Sequence, residues 1–229
     1  GGFTVVPGGR DRSPAPASAL EPGSAVAVDV LRGDLNFSAI GTVTYRDGDR
    51  VLIFGHPFFQ SGEVRMPLSS ARITTIIGNV NTSFKLGTSG APIGTATQDR
   101  RTAVGGRLGP SPRLLPIRVR VRGAGPRPQE FAFESIDDRS LLPQLVSAAV
   151  LNSLLESGGT GVMQTIRWSL AVWQGGRSLR LSDVAAGESP LADVAATLGA
   201  PVRFLGGNPY RRFRADSLVV ELDTQPGRL

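Results

Sequence analysis

The sequence predicts a mainly β protein with an α+β C-terminal part. Between residues 24 and 122, apolar and β-branched residues recur in short runs bounded by turn signals, which is the pattern of β-strands. After residue 124 the spacing changes, because residues 137–159 repeat leucine and alanine at the period of an α-helix. We therefore expect a linker or N-terminal extension over residues 1–23, a β-rich unit over 24–122 and an α+β extension over 123–229.

The β-rich unit is expected to begin with two strands, at 24–31 and 35–45. The Asp47-Gly48 turn then leads into a third strand at 50–54, which forms a hairpin with the second. Apolar residues occupy both parities of this third strand, so we expect it to be covered on both faces at the centre of the core. Further β segments are predicted at 63–68, 71–78, 81–86, 91–98, 101–109 and 113–123.

The segment 113–123 alternates between branched residues and Arg118, Arg120 and Arg122. This alternation predicts a half-exposed strand with one arginine face. That face is either a solvated sheet surface or a strip that binds anions, and we favour the solvated surface.

The C-terminal part is expected to contain two helices. The first is predicted over residues 136–157, with its leucine face packed on the β-rich unit. Its cap is predicted among Asp137, Asp138 and Ser140. The second is predicted between a cap at Ser189 and Gly199, which would lie just past its end. Strands are predicted at 163–173, 201–206 and 216–223.

The composition excludes several classes of site. The 229 residues include no cysteine and one histidine, so a zinc site built from these ligands is excluded, and we expect no metal and no cofactor. The net charge of +6 is spread along the chain and is not interleaved with aromatic residues, which argues against nucleic acid as a partner. No apolar run approaches the ~20 residues that span a bilayer.

Two residues could carry chemistry together. His56 is the single histidine, and it stands between Gly55 and Pro57 where the third strand ends. Ser89 lies in Gly-Thr-Ser-Gly-Ala-Pro, a stretch of small residues from which a turn can expose a hydroxyl. Each has a structural explanation, as a hydrogen-bonded histidine and an ordinary loop serine. Together they are a base and a nucleophile, and we expect the imidazole in a concave site and not inside the core.

Lys85 is the only lysine among 25 basic residues. One interpretation is a serine–lysine arrangement, with the ammonium desolvated near Ser83 or Ser89. The favoured interpretation is an exposed strand lysine whose stem covers apolar surface.

Three stretches of the chain resemble the SpoIVB-type serine peptidase family, a bacterial group assigned to the chymotrypsin-like peptidases. They are LEPGSAVAVDVLRGD, GTVTYRDGDRVLIFGHPF and SFKLGTSGAPIGTATQDRRTAVGGRLG. The resemblance covers roughly residues 20–122 and implies a chymotrypsin-like β-barrel there. The leucine spacing, and not the resemblance, predicts that the long helix of the extension packs against a sheet. The resemblance also implies a protein or a peptide as substrate or partner and an extracytoplasmic location, and it maps the family's catalytic histidine onto His56.

The serine motif of the family, Gly-Met-Ser-Gly-Ser-Pro, has an altered counterpart here. In residues 87–92 the methionine and the second serine are replaced. One hypothesis is a serine endopeptidase with His56 as base, Ser89 as nucleophile and Asp99 as the orienting acid.

The other hypothesis is a non-catalytic interaction or scaffold module that retains the peptidase fold. Its nucleophile is then lost or lies in a segment before Gly1, since many large members carry the serine motif upstream of this hairpin. The chain begins without an initiator methionine or a signal sequence, so we interpret it as a piece of a larger protein with which it associates.

Overall fold

The structure is a computed structural model that describes residues 20–78, 84–123, 127–158, 163–188, 190–210 and 213–226. The described residues form eleven strands and two helices, which confirms the mainly β prediction with an α+β C-terminal part. The chain divides into two compact units. The first contains residues 1–32 and 36–113, and the second contains residues 33–35 and 114–229.

The first unit is a closed antiparallel barrel. Its strands are β1 (Ala25–Gly33), β2 (Phe37–Asp47), β3 (Arg50–Ile53), β4 (Gly62–Ile77), β5 (Phe84–Arg100) and β6 (Ala103–Leu108). They pair in the order β1-β2-β3-β6-β5-β4, and a further pairing of β1 with β4 closes the ring. Closure leaves none of these six strands as a free edge.

Two strands of the barrel are longer than the sequence predicts. β4 and β5 run unbroken for 16 and 17 residues, where separate short segments were expected. Their ladder shifts register at several places, including the pairs around Ser69. Bulges of this kind let a ladder continue past prolines such as Pro67 and Pro92, which resemble strand breaks in the sequence.

The expectation that β3 is covered on both faces is wrong. Val51 and Ile53 are buried, but Leu52 is 43% exposed and its partner Tyr45 on β2 is 58% exposed. In a small barrel one face of each strand fills the interior and the other faces outward. β3 therefore has a single core face, although both of its faces are apolar.

The second unit is a five-stranded mixed sheet with two helices. Its elements are β7 (Leu115–Arg122), β8 (Gln129–Ser135), α1 (Leu142–Glu156), β9 (Gln164–Gln174), β10 (Arg177–Gly187), α2 (Pro190–Gly206) and β11 (Ser217–Pro226). The strand order is β10-β9-β11-β7-β8, and β11 runs parallel to β7 while the other pairs are antiparallel. α1 contacts β7 and β8, α2 contacts β9 and β10, and the helices contact each other.

β7 belongs to this second unit, so the observed boundary lies before the strand and not after Arg122 as expected. The reason is its pairing, because both neighbours of β7 follow it in the sequence. On the exposed face of β7, Arg118 and Arg120 bond to Glu130 of β8 at 2.9 and 2.8 Å. These ion pairs support the solvated interpretation of the arginine face.

α1 begins at Leu142 and not at residue 136. The Asp138 carboxylate accepts bonds from the N–H groups of Ser140 and Leu141, in the turn that precedes the helix. Most of the predicted leucine face is buried, but Leu155 is 51% exposed. Gly158, with φ of 80°, follows the end of the helix as predicted, and Gly159 lies outside the described residues.

α2 starts at Pro190 as predicted, but it does not end at Gly199, and the strand predicted at 201–206 is helical. Val194, Leu198 and Val202 form a buried stripe at helical spacing that continues past Gly199. A Cβ at Gly199 would lie 2.8 Å from Oγ of Ser147 on α1, so this glycine serves helix packing. Ser189 lies outside the described residues, and no described helix is long and apolar enough to cross a membrane.

Candidate functional site

The histidine loop, residues 54–62, connects β3 to β4. It contains two non-glycine residues with positive φ, Phe54 at 74° and Gln60 at 58°, besides Gly55 and Gly62. Such backbone costs about 1–3 kcal/mol for each residue with a side chain, and it persists only where the surroundings impose it. Strain of this kind concentrates at functional sites, so the loop is a candidate functional site.

Asp99, near the end of β5, anchors this loop. Its side chain is 1% exposed, and its carboxylate accepts N–H bonds from Phe58 at 2.8 Å, Phe59 at 2.7 Å and Ser61 at 3.2 Å. Hydrogen bonds to an ionised group are stronger than neutral ones. The predicted orienting acid therefore holds the backbone that carries His56, and these three bonds come from amides and not from the imidazole.

His56 follows the end of β3, as the sequence predicts, and its side chain is exposed and not sealed in the core. Nδ1 lies 2.8 Å from the carbonyl oxygen of Pro57. Because a carbonyl only accepts, Nδ1 carries the proton in the neutral ring, and Nε2 keeps its lone pair. The imidazole also stacks on the Phe54 ring, with centroids 5.6 Å apart and planes inclined by 21°. Nε2 is thus the basic atom of the ring, and the ring is positioned by the Pro57 carbonyl and the Phe54 side chain.

Ser89, the predicted nucleophile, belongs to a different cluster. Its hydroxyl donates to Oδ1 of Asp29 at 2.6 Å, and the hydroxyl of Ser69 donates to Oδ2 at 2.5 Å. Arg32 lies 3.6 Å from the same carboxylate and also donates to the carbonyl of Gly90. We call Asp29, Arg32, Ser69 and Ser89 the aspartate cluster. It joins β1 to β4 and β5 inside the barrel unit.

Asp29 is 2% exposed, and this burial raises the pKa of its carboxyl above the ordinary value near 3.8. Removal from water disfavours the charged form. The hydrogen bonds from Ser69 and Ser89 and the charge of Arg32 act in the opposite direction. The sequence did carry a signal for this residue, since Asp29 is the one charged residue in the apolar run 25–31. It was not interpreted as a site.

The three predicted site residues are not brought together by hydrogen bonds. Within the described part of the chain, no hydrogen bond joins His56 to Ser89 or to Asp99. The proton of the Ser89 hydroxyl is directed at a carboxylate and not at an imidazole. In the structure, His56 is bonded to Pro57 of its own loop, and Ser89 is bonded to Asp29.

Lys85 is exposed, and its ammonium donates to the hydroxyl of Thr42. The hydroxyl of Ser89 is bonded to Asp29, so these two residues form no serine–lysine pair. Ser83, the other proposed partner, lies outside the described residues. The favoured interpretation, an exposed strand lysine, agrees with this position.

The second unit contains a cavity of about 470 Å³ between the start of α1, the end of α2 and strands β9 and β11. Its floor is apolar and includes Leu142, Val172 and Leu218, while Asp138 and Asn208 lie at its polar margin. None of the three predicted site residues lines it. Nothing in the sequence had pointed to this cavity.

A scan of protein-family models, a search of curated proteins and a search of solved structures each found no match to this chain. The likeness to the SpoIVB-type family therefore rests on the sequence stretches in residues 20–122 and stays a prediction.

Proposed function

We propose that this chain is a SpoIVB-like, extracytoplasmic bacterial module that contacts a protein or peptide through the histidine loop and is not a self-contained serine peptidase. Its nucleophile is lost or is supplied by a segment before Gly1. One observation carries the proposal: the Ser89 hydroxyl donates to the buried Asp29, while the imidazole of His56 is bonded to Pro57.

Breaking the hydrogen bond between Ser89 and Asp29 costs free energy. A serine nucleophile needs its base within about 2.6–3.2 Å, so Ser89 would have to leave Asp29 to use His56. That move removes a donor from a buried carboxylate, and an unsatisfied buried polar group costs about 1–3 kcal/mol. Ser89 is therefore better explained as a structural partner of the buried Asp29.

The histidine loop has the opposite character. His56 and Phe59 are exposed, the lone pair of Nε2 is directed outward from the Pro57 bond, and the backbone is strained yet anchored by Asp99. Packing requires none of this, because an exposed imidazole contributes little to a core. A rigid exposed base suits contact with a group that comes from outside this barrel.

A fluorophosphonate probe, which labels activated serines, tests the proposal. We expect no labelling of the purified chain above that of its Ser89→Ala variant, with a known serine hydrolase as the positive control. Labelling of Ser89 that disappears in His56→Ala would overturn it. Circular dichroism of each variant shows that a lost signal does not reflect unfolding.

The second candidate is a serine endopeptidase with His56 as base, Ser89 as nucleophile and Asp99 as orienting acid. It is favoured by the attachment of the histidine loop to Asp99, which links two of the three proposed catalytic residues. It requires Ser89 to turn from Asp29 when substrate binds. The same labelling experiment, repeated after incubation with peptide substrates, distinguishes the two candidates.

A further inference from the structure

We infer that Gly41 of β2 is a positioning residue for His56, acting through the ring of Phe54. The inference deepens the proposed function, because it rests on His56 being the functional side chain of the loop. Three observations carry it: the lack of space at Gly41, the strained backbone of Phe54 and the stacking of Phe54 on the imidazole.

Gly41 has no room for a side chain. A Cβ at this position would overlap Cδ1 and Cε1 of the Phe54 ring and lie 3.1 Å from its Cγ. The φ of Gly41 is not positive, so this glycine is required for space and not for backbone conformation. The Phe54 ring thus lies directly against the backbone of β2.

Phe54 is held in an unfavourable conformation by its neighbours. With φ of 74° it occupies a region that bulky residues avoid, although its N–H still donates to the carbonyl of Thr42 at 3.0 Å. The ring contacts Phe58 edge-on, with centroids 6.0 Å apart. The contact with Gly41 and the edge contact with Phe58 together fix the direction of the ring.

The imidazole takes its orientation from the Phe54 ring. His56 stacks on Phe54, and in this orientation Nδ1 of His56 bonds to the carbonyl of Pro57. If Phe54 is displaced from Gly41, the stacking surface is lost and Nδ1 is no longer held at the carbonyl. Gly41 therefore determines which imidazole nitrogen carries the proton and where the basic Nε2 lies.

Because the chain has one histidine, its ring signals in NMR spectra are unambiguous. We expect the wild type, with its imidazole neutral at alkaline pH, to show the tautomer with the proton on Nδ1, and ring protons shifted by the Phe54 ring current. Gly41→Ala and Phe54→Ala should each lose both features. The double variant should match Phe54→Ala, because removal of the ring makes room for the Cβ that the first substitution adds.

Gly105→Ala on β6 is the matched control. A Cβ there meets Leu52 and Gln98 at 3.6 Å, an ordinary contact, so the His56 spectrum should remain that of the wild type. A wild-type His56 spectrum in Gly41→Ala, or an equal change in Gly105→Ala, would overturn the inference. If Gly41→Ala does not fold, recovery of folding in the double variant supports it, and a wild-type spectrum in Phe54→Ala overturns it. These readouts are independent of fluorophosphonate labelling.

Discussion

Among the described residues of the barrel unit, two carboxylates are buried to nearly the same degree but accept bonds from different donors. Asp99 accepts bonds from three backbone amides and supports an exposed, strained loop. Asp29 accepts bonds from two serine hydroxyls, faces Arg32 and joins three strands. The two carboxylates differ in their donors. Backbone amides bonded to Asp99 hold a loop in place, whereas side-chain hydroxyls bonded to Asp29 connect neighbouring strands. The histidine loop is attached to Asp99, and Ser89 is attached to Asp29.

The largest effect is expected from Asp99→Ala. The change leaves three N–H groups of the histidine loop without their acceptor, so the free energy of unfolding should fall by about 3 kcal/mol. Urea unfolding measures it. Asp49→Ala is the control, because the Asp49 carboxylate is exposed and forms an exposed ion pair with Arg107 at 3.4 Å. This substitution should change the free energy of unfolding by less than about 1 kcal/mol. Equal losses in the two variants would remove the distinction between anchoring and surface carboxylates.

The second effect concerns the pH dependence given by Asp29. Burial raises its pKa in the folded state, so the folded chain binds this proton more readily than the unfolded chain. Its contribution to stability should therefore improve as the pH falls from neutral through the folded-state pKa toward the unfolded value near 3.8. In the Asp29→Asn variant the side chain at position 29 cannot titrate, so this variant is the reference. Unfolding free energies measured from pH 7 to pH 4 should show the wild type gaining relative to Asp29→Asn, whereas a relative loss would contradict the raised pKa.

Ser89→Ala should have a smaller effect, a loss of about 1 kcal/mol, because it removes one hydrogen bond to a buried carboxylate. Ser69→Ala should cost at least as much, since Ser69 is fully buried. In the Asp29→Asn background each serine change should lower the free energy of unfolding by less than it does in the wild type, because the carboxylate that both hydroxyls contact is absent. Equal losses in the two backgrounds, measured by urea unfolding, would show that the serines act independently of Asp29.

The smallest effect is expected from His56→Ala. An exposed ring contributes little to packing, so the free energy of unfolding should change by less than about 0.5 kcal/mol. Thermal and urea unfolding both measure this quantity. A loss as large as that of Asp99→Ala would mean that the histidine is kept for structure and not for function.

Local signals in the sequence predicted the position of His56 well. The Asp47-Gly48 turn and the apolar run before Gly55 are enough to place His56 at the end of β3. The partners of the two carboxylates were not predictable in this way. Asp29 meets Ser69 and Ser89 across 40 and 60 residues of sequence, and these contacts exist only because β1 closes the barrel on β4.

For the helix α2, a local signal led to a wrong prediction of where the helix ends. Gly199 and Pro201 together resemble a helix end followed by a break, yet the helix continues to Gly206. Tertiary packing overrides the propensity of these residues, because Val202 extends a stripe that is buried in the second unit. Close approach to α1 explains the glycine, and that approach is not visible in the sequence of α2 alone.

The hydroxyl of Ser89 is bonded to Asp29 and not to His56. The NMR ring signals of the single histidine test this pairing directly, since removal of a hydroxyl bonded to the imidazole would change their chemical shifts. We predict that Ser89→Ala leaves the His56 ring shifts equal to those of the wild type, while Asp99→Ala changes them because it releases the histidine loop. A change in Ser89→Ala comparable to that in Asp99→Ala would contradict this pairing and favour the serine endopeptidase.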